Sequence, residues 1–460
     1  MSNMNNGNKN NQEVHKCLFC GMSYTEEFLT KNEVTIIVSP ADGTSKICSV
    51  CISRCGDAIK DIQSMLNEKQ TDTSELTKSF SNVKPSAIRQ SLSQWIVGQE
   101  KAKRDISTGV YNHYKLIASK DMELDTEIEK SNILLCGPTG TGKTAIIKAL
   151  GKKLDVPYVI VDANSFTQSG YVGRDVEDML KDLLEAANGD LELAQKGIIY
   201  IDEIDKVSRK GASPTTSRDV SGEGVQQALL KLVEGGTFEI TMGDKRKRII
   251  GDKPIKFDTS NVLFVGGGSF EGIENTIQKR LNKKLGATNV GFGGNLKNKD
   301  TEKAYNELIL QVTPEDLKNF GMLPELLGRF PIVTALQQLD EEAMMNILTQ
   351  PKNALYKQYK ALFAMDNTEF EMTEEALREV AKKALEKKIG ARALRATMEE
   401  TLKDIMYLAP DMTNLKKVLV TKEAVNDSSC TKFLIGDELL ELGSIATASP
   451  MADERVKAGE

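Results

Sequence analysis

A glycine-rich segment of eight residues constrains the fold of this chain more than any other part of its sequence. Residues 137–144 read Gly-Pro-Thr-Gly-Thr-Gly-Lys-Thr, between a short apolar run at 133–136 and a helical stretch at 145–153. A strand, a glycine-rich turn and a helix in this order form a phosphate-binding loop, because backbone N–H groups and the helix N-terminus surround the anion. A chance glycine-rich turn would not explain the strand and helix on its two sides. The predicted nucleotide contacts are Gly137, Pro138, Thr139, Gly140, Thr141, Gly142, Lys143, Thr144 and Ala145.

The polar groups of this loop predict how ATP and its metal are held. Lys143 should reach the β- and γ-phosphates, and the Thr144 hydroxyl should hold Mg²⁺. A second apolar run, at 198–201, ends in Asp202 and Glu203. Asp202 is expected at the metal, and Glu203 where a carboxylate polarises the attacking water. On its own the pair could be a solvated acidic turn, but its position about 60 residues after the loop favours the catalytic interpretation.

Short apolar runs between helical stretches predict an α/β fold with a parallel sheet covered on both faces. These runs stand at 133–136, 158–161, 197–201 and 261–265. From about residue 339 the apolar positions recur at helical spacing, with a weaker β segment at 417–420. The 460 residues are too many for one ordinary domain. We expect a large P-loop ATPase domain at 91–338 and a small, mainly helical domain at 339–443.

Cysteines are concentrated near the N-terminus, in a chain that has seven of them. Without a secretory signal, such clustering indicates metal binding and not disulfides. Two C-x-x-C pairs can together complete a tetrahedral four-thiolate zinc site of the structural type. Cys55 is left over, as a small buried apolar residue or as an alternative ligand. We assign this zinc-binding module to residues 13–60 and expect it to fold only with its metal. Its predicted ligands are Cys17, Cys20, Cys48 and Cys51.

Composition and charge argue against several classes of protein. A net charge of -6, a pI near 5.5 and 5% aromatic residues disfavour a dedicated nucleic-acid binder. No apolar run approaches the roughly 20 residues that span a bilayer, and the Asn-rich N-terminus lacks the apolar stretch of a signal peptide. We therefore expect a cytoplasmic protein without membrane or nucleic-acid partners. Three segments are expected to be a disordered N-terminus, a linker and a flexible tail: 1–12, 61–90 and 444–460.

From the cysteine module to about residue 440, these motifs resemble the ClpX subfamily of AAA+ unfoldases. The sequence Ile-Val-Gly-Gln-Glu at 96–100 resembles the family's entry to the helix ahead of the P-loop, which implies that Val97 packs on adenine. The segment 323–329 resembles its arginine-finger segment, which implies that Arg329 completes the ATP site of a neighbouring subunit. The run 390–392 resembles its second sensor, in which Arg392 reads the γ-phosphate. Taken singly, each arginine would be interpreted as a surface salt-bridge partner.

Other segments resemble the surfaces through which this family grips its substrates. Gly-Tyr-Val-Gly at 170–173 resembles the pore loop, with Tyr171 and Val172 as an apolar paddle that binds side chains without sequence preference. Arg218 falls in a stretch that resembles the second pore loop. The basic sequence at 245–248 replaces the family's Arg-Lys-His loop, so positive charge is kept while the tag preference stays open.

A further tripeptide concerns the peptidase partner. Val290, Gly291 and Phe292 resemble the family's Ile-Gly-Phe loop, which docks the ClpP peptidase. The alternative is that this loop folds back and buries Phe292 in its own domain. The cysteine module resembles a dimerising domain that docks adaptors, although its interval between the two cysteine pairs is longer than is usual and indicates an insertion around residues 33–42.

The resemblance implies an ATP-driven protein unfoldase. It implies a homohexamer that recognises tagged or unfolded proteins, with adaptor proteins, and threads them into ClpP. The chain itself shows no protease constellation, since neither His15 nor His113 lies beside a nucleophile motif. The alternative function is a zinc-bearing AAA+ nucleic-acid motor of the helicase or clamp-loader type, which would need a basic channel with stacking aromatics. A scaffold that binds ATP without hydrolysing it is disfavoured by the joint presence of Glu203 and Arg329.

Overall fold

The computed structural model of the chain divides into two units, Met1–Leu76 and Thr77–Glu460. The described residues are 14–25, 36–38, 46–52, 84–119, 126, 128–166, 174–208, 222–241, 254–284 and 298–444. The predicted disordered segment 1–12 lies outside them, as do most of the predicted linker 61–90 and all but the first residue of the predicted tail 444–460.

The described residues of the first unit include two short antiparallel strand pairs. In one, β1 (Val14–Lys16) pairs with β2 (Ser23–Thr25), and in the other, β3 (Ile36–Val38) pairs with β4 (Lys46–Cys48). Isolated two-stranded pairs of this length are marginally stable at best. The buried side chains among the described residues of this unit are cysteines: Cys17, Cys48 and Cys51. A bond between these cysteines and a metal would therefore add stability that two such strand pairs do not have by themselves.

The second unit alternates strands and helices. Its strands are β5 (Ile133–Cys136), β6 (Tyr158–Asp162), β7 (Ile198–Asp202), β8 (Thr237–Ile240), β9 (Ile255–Asp258), β10 (Leu263–Gly268), β11 (Ile332–Ala335), β12 (Glu369–Met372), β13 (Leu415–Val420), β14 (Lys432–Ile435) and β15 (Glu438–Glu441). Its helices are α1 (Pro85–Ser93), α2 (Glu100–Ser119), α3 (Lys143–Leu154), α4 (Asp178–Ala186), α5 (Leu191–Ala194), α6 (Gly222–Glu234), α7 (Ile273–Lys284), α8 (Asn298–Ile309), α9 (Pro314–Phe320), α10 (Pro324–Gly328), α11 (Glu341–Thr349), α12 (Leu355–Met365), α13 (Glu374–Glu386), α14 (Arg392–Leu408) and α15 (Lys422–Asn426).

A five-stranded parallel sheet forms the centre of the large domain, in the order β11-β5-β10-β7-β6. The strands β5 and β10 are buried throughout and β7 nearly so, as strands covered on both faces are. The four strands predicted from apolar runs are all present. The fifth, β11, was missed because Thr334 interrupts its apolar run, and the hydroxyl of this residue donates to Asp105 Oδ2 at 2.8 Å.

The order of the strands places a binding site at one point of the sheet edge. The strand β5, which leads into the glycine-rich loop, lies between β10 and β11 and is parallel to both. In open parallel sheets, ligands bind beyond the carboxyl ends of the strands where the order of connection reverses. The ends of β5, β7 and β10 therefore mark the expected site.

The small domain has its own core, which includes Leu339, Phe370, Val380, Leu394 and Val418. The predicted helical spacing is confirmed in α13, whose apolar face is buried along the helix. The predicted β segment at 417–420 is the end of β13. The other strands of a four-stranded sheet, in the order β12-β13-β14-β15, were not predicted. The small domain thus contains more β structure than a mainly helical domain was expected to have.

The helix α1 begins at Pro85, within the range that the sequence assigned to the linker. Two of its side chains, Ile88 and Leu92, are almost completely buried. These residues belong to the folded large domain because α1 packs against α2 and α3.

Between the two cores, the chain runs through three residues whose backbone is held by hydrogen bonds. Leu336 N donates to Cys136 O at 2.7 Å. Gln337 is held by the amide of Gln99, which accepts from its N–H at 2.8 Å and donates to its carbonyl at 2.9 Å. Gln338 is held in the same way by Asn306, at 2.7 and 3.2 Å. We call the two pairs Gln99–Gln337 and Asn306–Gln338 the amide clasp.

Among the residues whose structure is described, no helix combines the length and the apolar character needed to cross a membrane.

Candidate functional site

The glycine-rich loop connects the buried strand β5 to the helix α3, as the sequence predicted. Gly137 has a φ of +144°, and a Cβ on it would lie 2.4 Å from the carbonyl oxygen of Leu336. Gly142, at φ +105°, is the residue from which α3 begins. Side chains at these two positions would be excluded by backbone conformation, and at Gly137 also by contact. The loop is therefore free to present its backbone N–H groups to an anion.

Lys143 is the first residue of α3, and its side chain curls back over the loop. Its Nζ donates to the carbonyl of Gly137 at 2.6 Å and to that of Pro138 at 2.9 Å. Burial lowers the pKa of Lys143, and the nearby carboxylate of Asp202 acts in the opposite direction. An ammonium group at this place is held by a few backbone oxygens, which a phosphate can replace with stronger charge-assisted bonds.

The next residue, Thr144, meets the acidic end of β7. Its Oγ1 donates to Asp202 Oδ2 at 3.1 Å. The other carboxylate oxygen, Oδ1, accepts from the Tyr200 hydroxyl at 3.2 Å and from the Glu203 N–H at 3.0 Å. A hydroxyl and a carboxylate side by side are hard oxygen donors, the kind that Mg²⁺ binds together with substrate phosphates. The residues at this point fit Mg²⁺.

Glu203 follows the strand in a left-handed conformation, with φ +57°, and its side chain is exposed toward the cavity. Its Oε2 accepts from Asn164 Nδ2 at 2.6 Å, and the same Nδ2 donates to Asp162 Oδ1 at 2.9 Å. Asn164 follows β6, the strand beside β7, so its position comes from the sheet. Asn164 was not predicted from the sequence. The signal was an Asp-Ala-Asn run directly after a predicted strand.

A cavity of about 870 Å³ lies between the loop and the small domain. This volume is within the range of ligand pockets, which is about 300–1,000 Å³. Its polar lining includes Lys143, Thr144, Asp202, Glu203 and Ser269. Its apolar lining comes from both domains and includes Trp95, Ile96, Ile347, Leu355 and Leu394. A ligand with a polyanionic part and a flat apolar part would match this lining.

The sequence placed Val97 against the base of the nucleotide. Of the described residues on the large cavity, however, Trp95 and Ile96 are the ones from this segment. Val97 lines an adjoining cavity of about 350 Å³, together with Ile96 and the almost completely buried Lys103. A contact between Val97 and adenine stays a prediction. Trp95 was not predicted, and it is the only tryptophan of the chain.

The small domain touches the loop directly through backbone atoms. Ala391 N donates to the carbonyl of Gly140 at 3.0 Å. Gly390 has a φ of +62°, and a Cβ on it would lie 2.7 Å from the carbonyl oxygen of Thr139. This contact brings Arg392, the first residue of α14, to the wall of the large cavity. The predicted sensor arginine is therefore near the loop, although it comes from the second core.

Arg329 is located elsewhere. It follows α10 and is not among the described residues that line the large cavity. Its guanidinium forms an ion pair with Glu234, the last residue of α6, and both side chains are partly exposed. The backbone carbonyl of Arg329 accepts a hydrogen bond from Asn132 Nδ2, at 2.8 Å.

In the first unit, the four predicted zinc ligands come together. The Sγ atoms of Cys17, Cys20, Cys48 and Cys51 all lie within 4.8 Å of one another. Four sulfurs bonded to one tetrahedral zinc ion at about 2.3 Å are about 3.8 Å apart, so the arrangement fits zinc. Backbone N–H donors from Cys20 and Cys48 lower the pKa of Cys17 to about 6, whereas burial and the neighbouring sulfurs raise the pKa of Cys51 to about 12. A bound zinc ion would stabilise the thiolate form of its cysteine ligands.

Several predicted residues lie outside the described parts of the chain. These are the pore residues Tyr171, Val172 and Arg218, the docking tripeptide Val290, Gly291 and Phe292, the extra Cys55, and the basic segment 245–248. Their roles stay predictions.

Comparisons with known proteins agree with this geometry. Residues 128–333 match the family model described as an AAA domain of the Cdc48 subfamily. Residues 339–419 match the model of the C-terminal, D2-small domain of ClpB protein. The border between the two matches falls at the amide clasp.

Curated relatives cover almost the whole chain. The ATP-dependent Clp protease ATP-binding subunit ClpX of Treponema denticola is 41% identical over 423 residues, which are 92% of this chain and 97% of that protein. The protein of the same name from Porphyromonas gingivalis is 41% identical over 408 residues, which are 89% of this chain and 94% of the relative. With such identity over about nine-tenths of its length, the chain belongs to the ClpX family of AAA+ ATPases.

Proposed function

We propose that this chain is an ATPase that uses the hydrolysis of ATP to unfold protein substrates and to pass them to the ClpP peptidase. The observation that carries this proposal is the cavity between the two cores. The large domain contributes Lys143, Asp202 and Glu203 to it, and the small domain contributes Arg392. A triphosphate bound there would contact both domains. Its cleavage would therefore change the contacts through which the nucleotide holds the two domains together.

Within this site each side chain has a separate task. The backbone N–H groups of residues 139–142 and the Nζ of Lys143 bind phosphate oxygens. Thr144 and Asp202 would hold Mg²⁺, which supplies charge neutralisation at the phosphates when it is bound. Glu203 polarises the attacking water and accepts its proton. Arg392 contacts the γ-phosphate with a planar guanidinium.

Asn164 holds the side chain of Glu203 in this scheme. Its Nδ2 donates to Glu203 Oε2 at 2.6 Å, so this oxygen is engaged in a hydrogen bond within the protein. Release of this bond would leave Oε2 able to accept the proton of the attacking water.

The chain would work as a homohexamer. Arg329 lies away from the cavity of its own chain and is partly exposed, as a residue that acts in a neighbouring subunit must be. Tyr171, Val172 and Arg218 would line the central pore and move the substrate. The zinc-binding module, with Cys17, Cys20, Cys48 and Cys51 as ligands of Zn²⁺, would receive substrates and adaptor proteins. We place this machine in the cytoplasm.

The direct test is the degradation of a folded reporter protein that carries a C-terminal tag, measured with ATP in the presence and absence of ClpP. We expect loss of the folded reporter in both cases and peptides only with ClpP. Stimulation of ATP hydrolysis by single-stranded DNA, and none by an unfolded protein, would instead support the nucleic-acid motor.

The docking tripeptide has a test of its own. Phe292→Ala should abolish ClpP-dependent degradation and leave ATP hydrolysis and unfolding intact. Val290 has one methylene less than the isoleucine of the family motif, a loss of about 0.8 kcal/mol if it is fully buried. Because six loops would act together, small losses per loop multiply. Full degradation by the Phe292 variant would show that this segment is not the docking element, and loss of ATP hydrolysis would show that Phe292 belongs to a core.

A further inference from the structure

A buried amide lies at the start of the strand that leads into the phosphate loop. Asn132 precedes β5 and is 1% exposed. Its Oδ1 accepts from the backbone N–H of Phe264, at 3.1 Å, so the central strand β10 fixes the direction of the amide. Its Nδ2 donates to the backbone carbonyl of Arg329 at 2.8 Å. One buried side chain therefore joins the central sheet to Arg329.

Arg329 is held at both ends. Its backbone follows α10, with its N–H bonded to Leu326 O at 3.0 Å, and the next residue, Phe330, is completely buried. Its guanidinium meets Glu234 at the end of α6. The neighbouring carbonyl of Val233 lies 3.5 Å from Asn132 Nδ2, so the end of α6 is also close to this amide.

An exposed ion pair such as Arg329–Glu234 contributes only about 0–1 kcal/mol to stability. The ion pair by itself therefore does not explain why Arg329 is also anchored through its backbone. A buried amide, by contrast, is costly unless its hydrogen bonds are made. Asn132 makes them with the N–H of Phe264 in the sheet, with the carbonyl of Arg329 and, at 3.5 Å, with the carbonyl of Val233. The anchoring sets how far the guanidinium extends from the surface of the subunit, which matters when its target lies on another chain.

We propose that Asn132 is a positioning residue for Arg329, and that Glu234 orients the Arg329 guanidinium toward the ATP site of the neighbouring subunit. This inference rests on the proposed function, in which Arg329 acts in trans. Neither residue touches the ATP of its own subunit in this scheme, and both act through Arg329.

Asn132→Asp is the sharpest variant, because it keeps the shape and the bond from Phe264 N–H. It replaces the donor that faces the Arg329 carbonyl with a second oxygen, which repels it. A shift of about 1 Å in a positioned group can cost about 100-fold in rate. We expect kcat to fall by about tenfold, and the KM for ATP to change by less than about twofold, since the nucleotide contacts of the same chain are intact.

Rings of mixed composition separate a role in trans from damage in cis. Glu203→Gln subunits do not hydrolyse ATP but carry an intact Arg329. In rings with an excess of these subunits, most Asn132→Asp subunits have such a neighbour. The reference is a mixed ring in which wild-type subunits are diluted in the same excess of Glu203→Gln subunits. In the mixed rings, the rate of ATP hydrolysis per Asn132→Asp subunit should be within about twofold of the rate per wild-type subunit. The tenfold deficit of rings made only of Asn132→Asp subunits should therefore disappear.

Two control variants calibrate this result. Arg329→Ala should be rescued in mixed rings, and Arg392→Ala, which removes a group from the chain's own cavity, should not. If Arg329→Ala is not rescued, the role of Arg329 in trans is refuted. If Arg329→Ala is rescued and Asn132→Asp is not, only the inference on Asn132 is overturned.

Glu234→Gln tests the same device without touching the interior. The change is on the surface and keeps the size of the side chain, so the variant should fold and bind ATP even if Asn132→Asp does not assemble. We expect a kcat deficit of about threefold that disappears in mixed rings, by the same positioning argument. A variant with the wild-type rate, or with a deficit that persists in mixed rings, would overturn the proposal.

Discussion

The backbone contact between Gly390 and the phosphate loop gives the most direct test of how the small domain is coupled to the site. A Cβ at position 390 would lie 2.7 Å from Thr139 O and 2.8 Å from Gly140 Cα. Ordinary contacts begin at 3.4 Å, so the two segments must separate by about 0.7 Å. The hydrogen bond from Ala391 N to Gly140 O, now 3.0 Å long, would then be lost. Its loss costs about 0.5–1.5 kcal/mol.

Gly390→Ala should therefore withdraw Arg392 from the cavity along with the backbone. Because a displacement of about 1 Å can cost about 100-fold, we expect kcat/KM for ATP to fall by about 10- to 100-fold. Gly436→Ala is the matched control. Gly436 has the same φ of +62° and also lies in the small domain, but a Cβ on it would meet no atom of the described residues within 4 Å.

Both variants place an alanine in the left-handed region, which costs roughly 1–2 kcal/mol of stability. Only Gly390→Ala should also lose ATP hydrolysis, measured as steady-state kcat/KM, while thermal unfolding reports the shared cost. Equal rates in the two variants would refute the idea that this contact couples the small domain to the loop.

Three further predictions concern catalysis, the metal and acid stability. Glu203→Gln should bind ATP as tightly as the wild type and lower kcat by about 100-fold or more, and near-normal turnover would exclude the water-activating role. Cys17→Ser should reduce bound zinc to background, measured by metal analysis, and leave ATP hydrolysis within about twofold, because the second unit has its own cores; zinc that stays bound would contradict the four-thiolate site. Asp316 is completely buried against Arg280, and although burial acts to raise its pKa, hydrogen bonds from Arg280 and Thr313 lower it below the ordinary 3.8. Its charged form therefore stabilises the fold above this value, and the stability is lost as the pH falls through the folded pKa. Asp316→Asn should cost about 3–5 kcal/mol at neutral pH and flatten the acid branch of a urea-unfolding series followed by Trp95 fluorescence; an unchanged acid branch would be inconsistent with this.

The parts of the site that could be predicted are those in which local sequence fixes geometry. A strand, a glycine-rich loop and a helix N-terminus are contiguous, so Lys143 and Thr144 could be placed without knowing the rest of the chain. Asp202 ends a strand whose other residues are all buried, and the sheet then brings it to Thr144. The two C-x-x-C pairs likewise restrict their cysteines to tight turns. Most of the parallel sheet was predictable for the same reason, since uniformly apolar strands are a local signal.

The residues that were missed depend on contacts between distant segments. Asn164 reaches Glu203 only because β6 lies beside β7 in the sheet. Trp95 reaches the cavity because α1 packs against α3. The strand β12 of the small domain alternates between buried and exposed side chains within four residues, too short a pattern to separate from a helix or a loop. The close approach of Gly390 and Gly140 is a contact between the small and the large domain, and no periodic pattern in the sequence predicts it.

The amide clasp determines where the two domains can turn against each other. Gln337 and Gln338 are held on the side of the large domain, and Asp340 already belongs to the small domain, as the N-cap whose side chain accepts from Ala343 N at 2.8 Å. Only Leu339 lies between them, and its side chain is packed into the core of the small domain. Over the described residues the chain passes between the cores at this place alone, so any turn of the small domain against the large one requires a change in the backbone torsions around Leu339. With so short a connection, and with the residues on both sides of it held in their own domains, a change at the phosphates would move the small domain as one body.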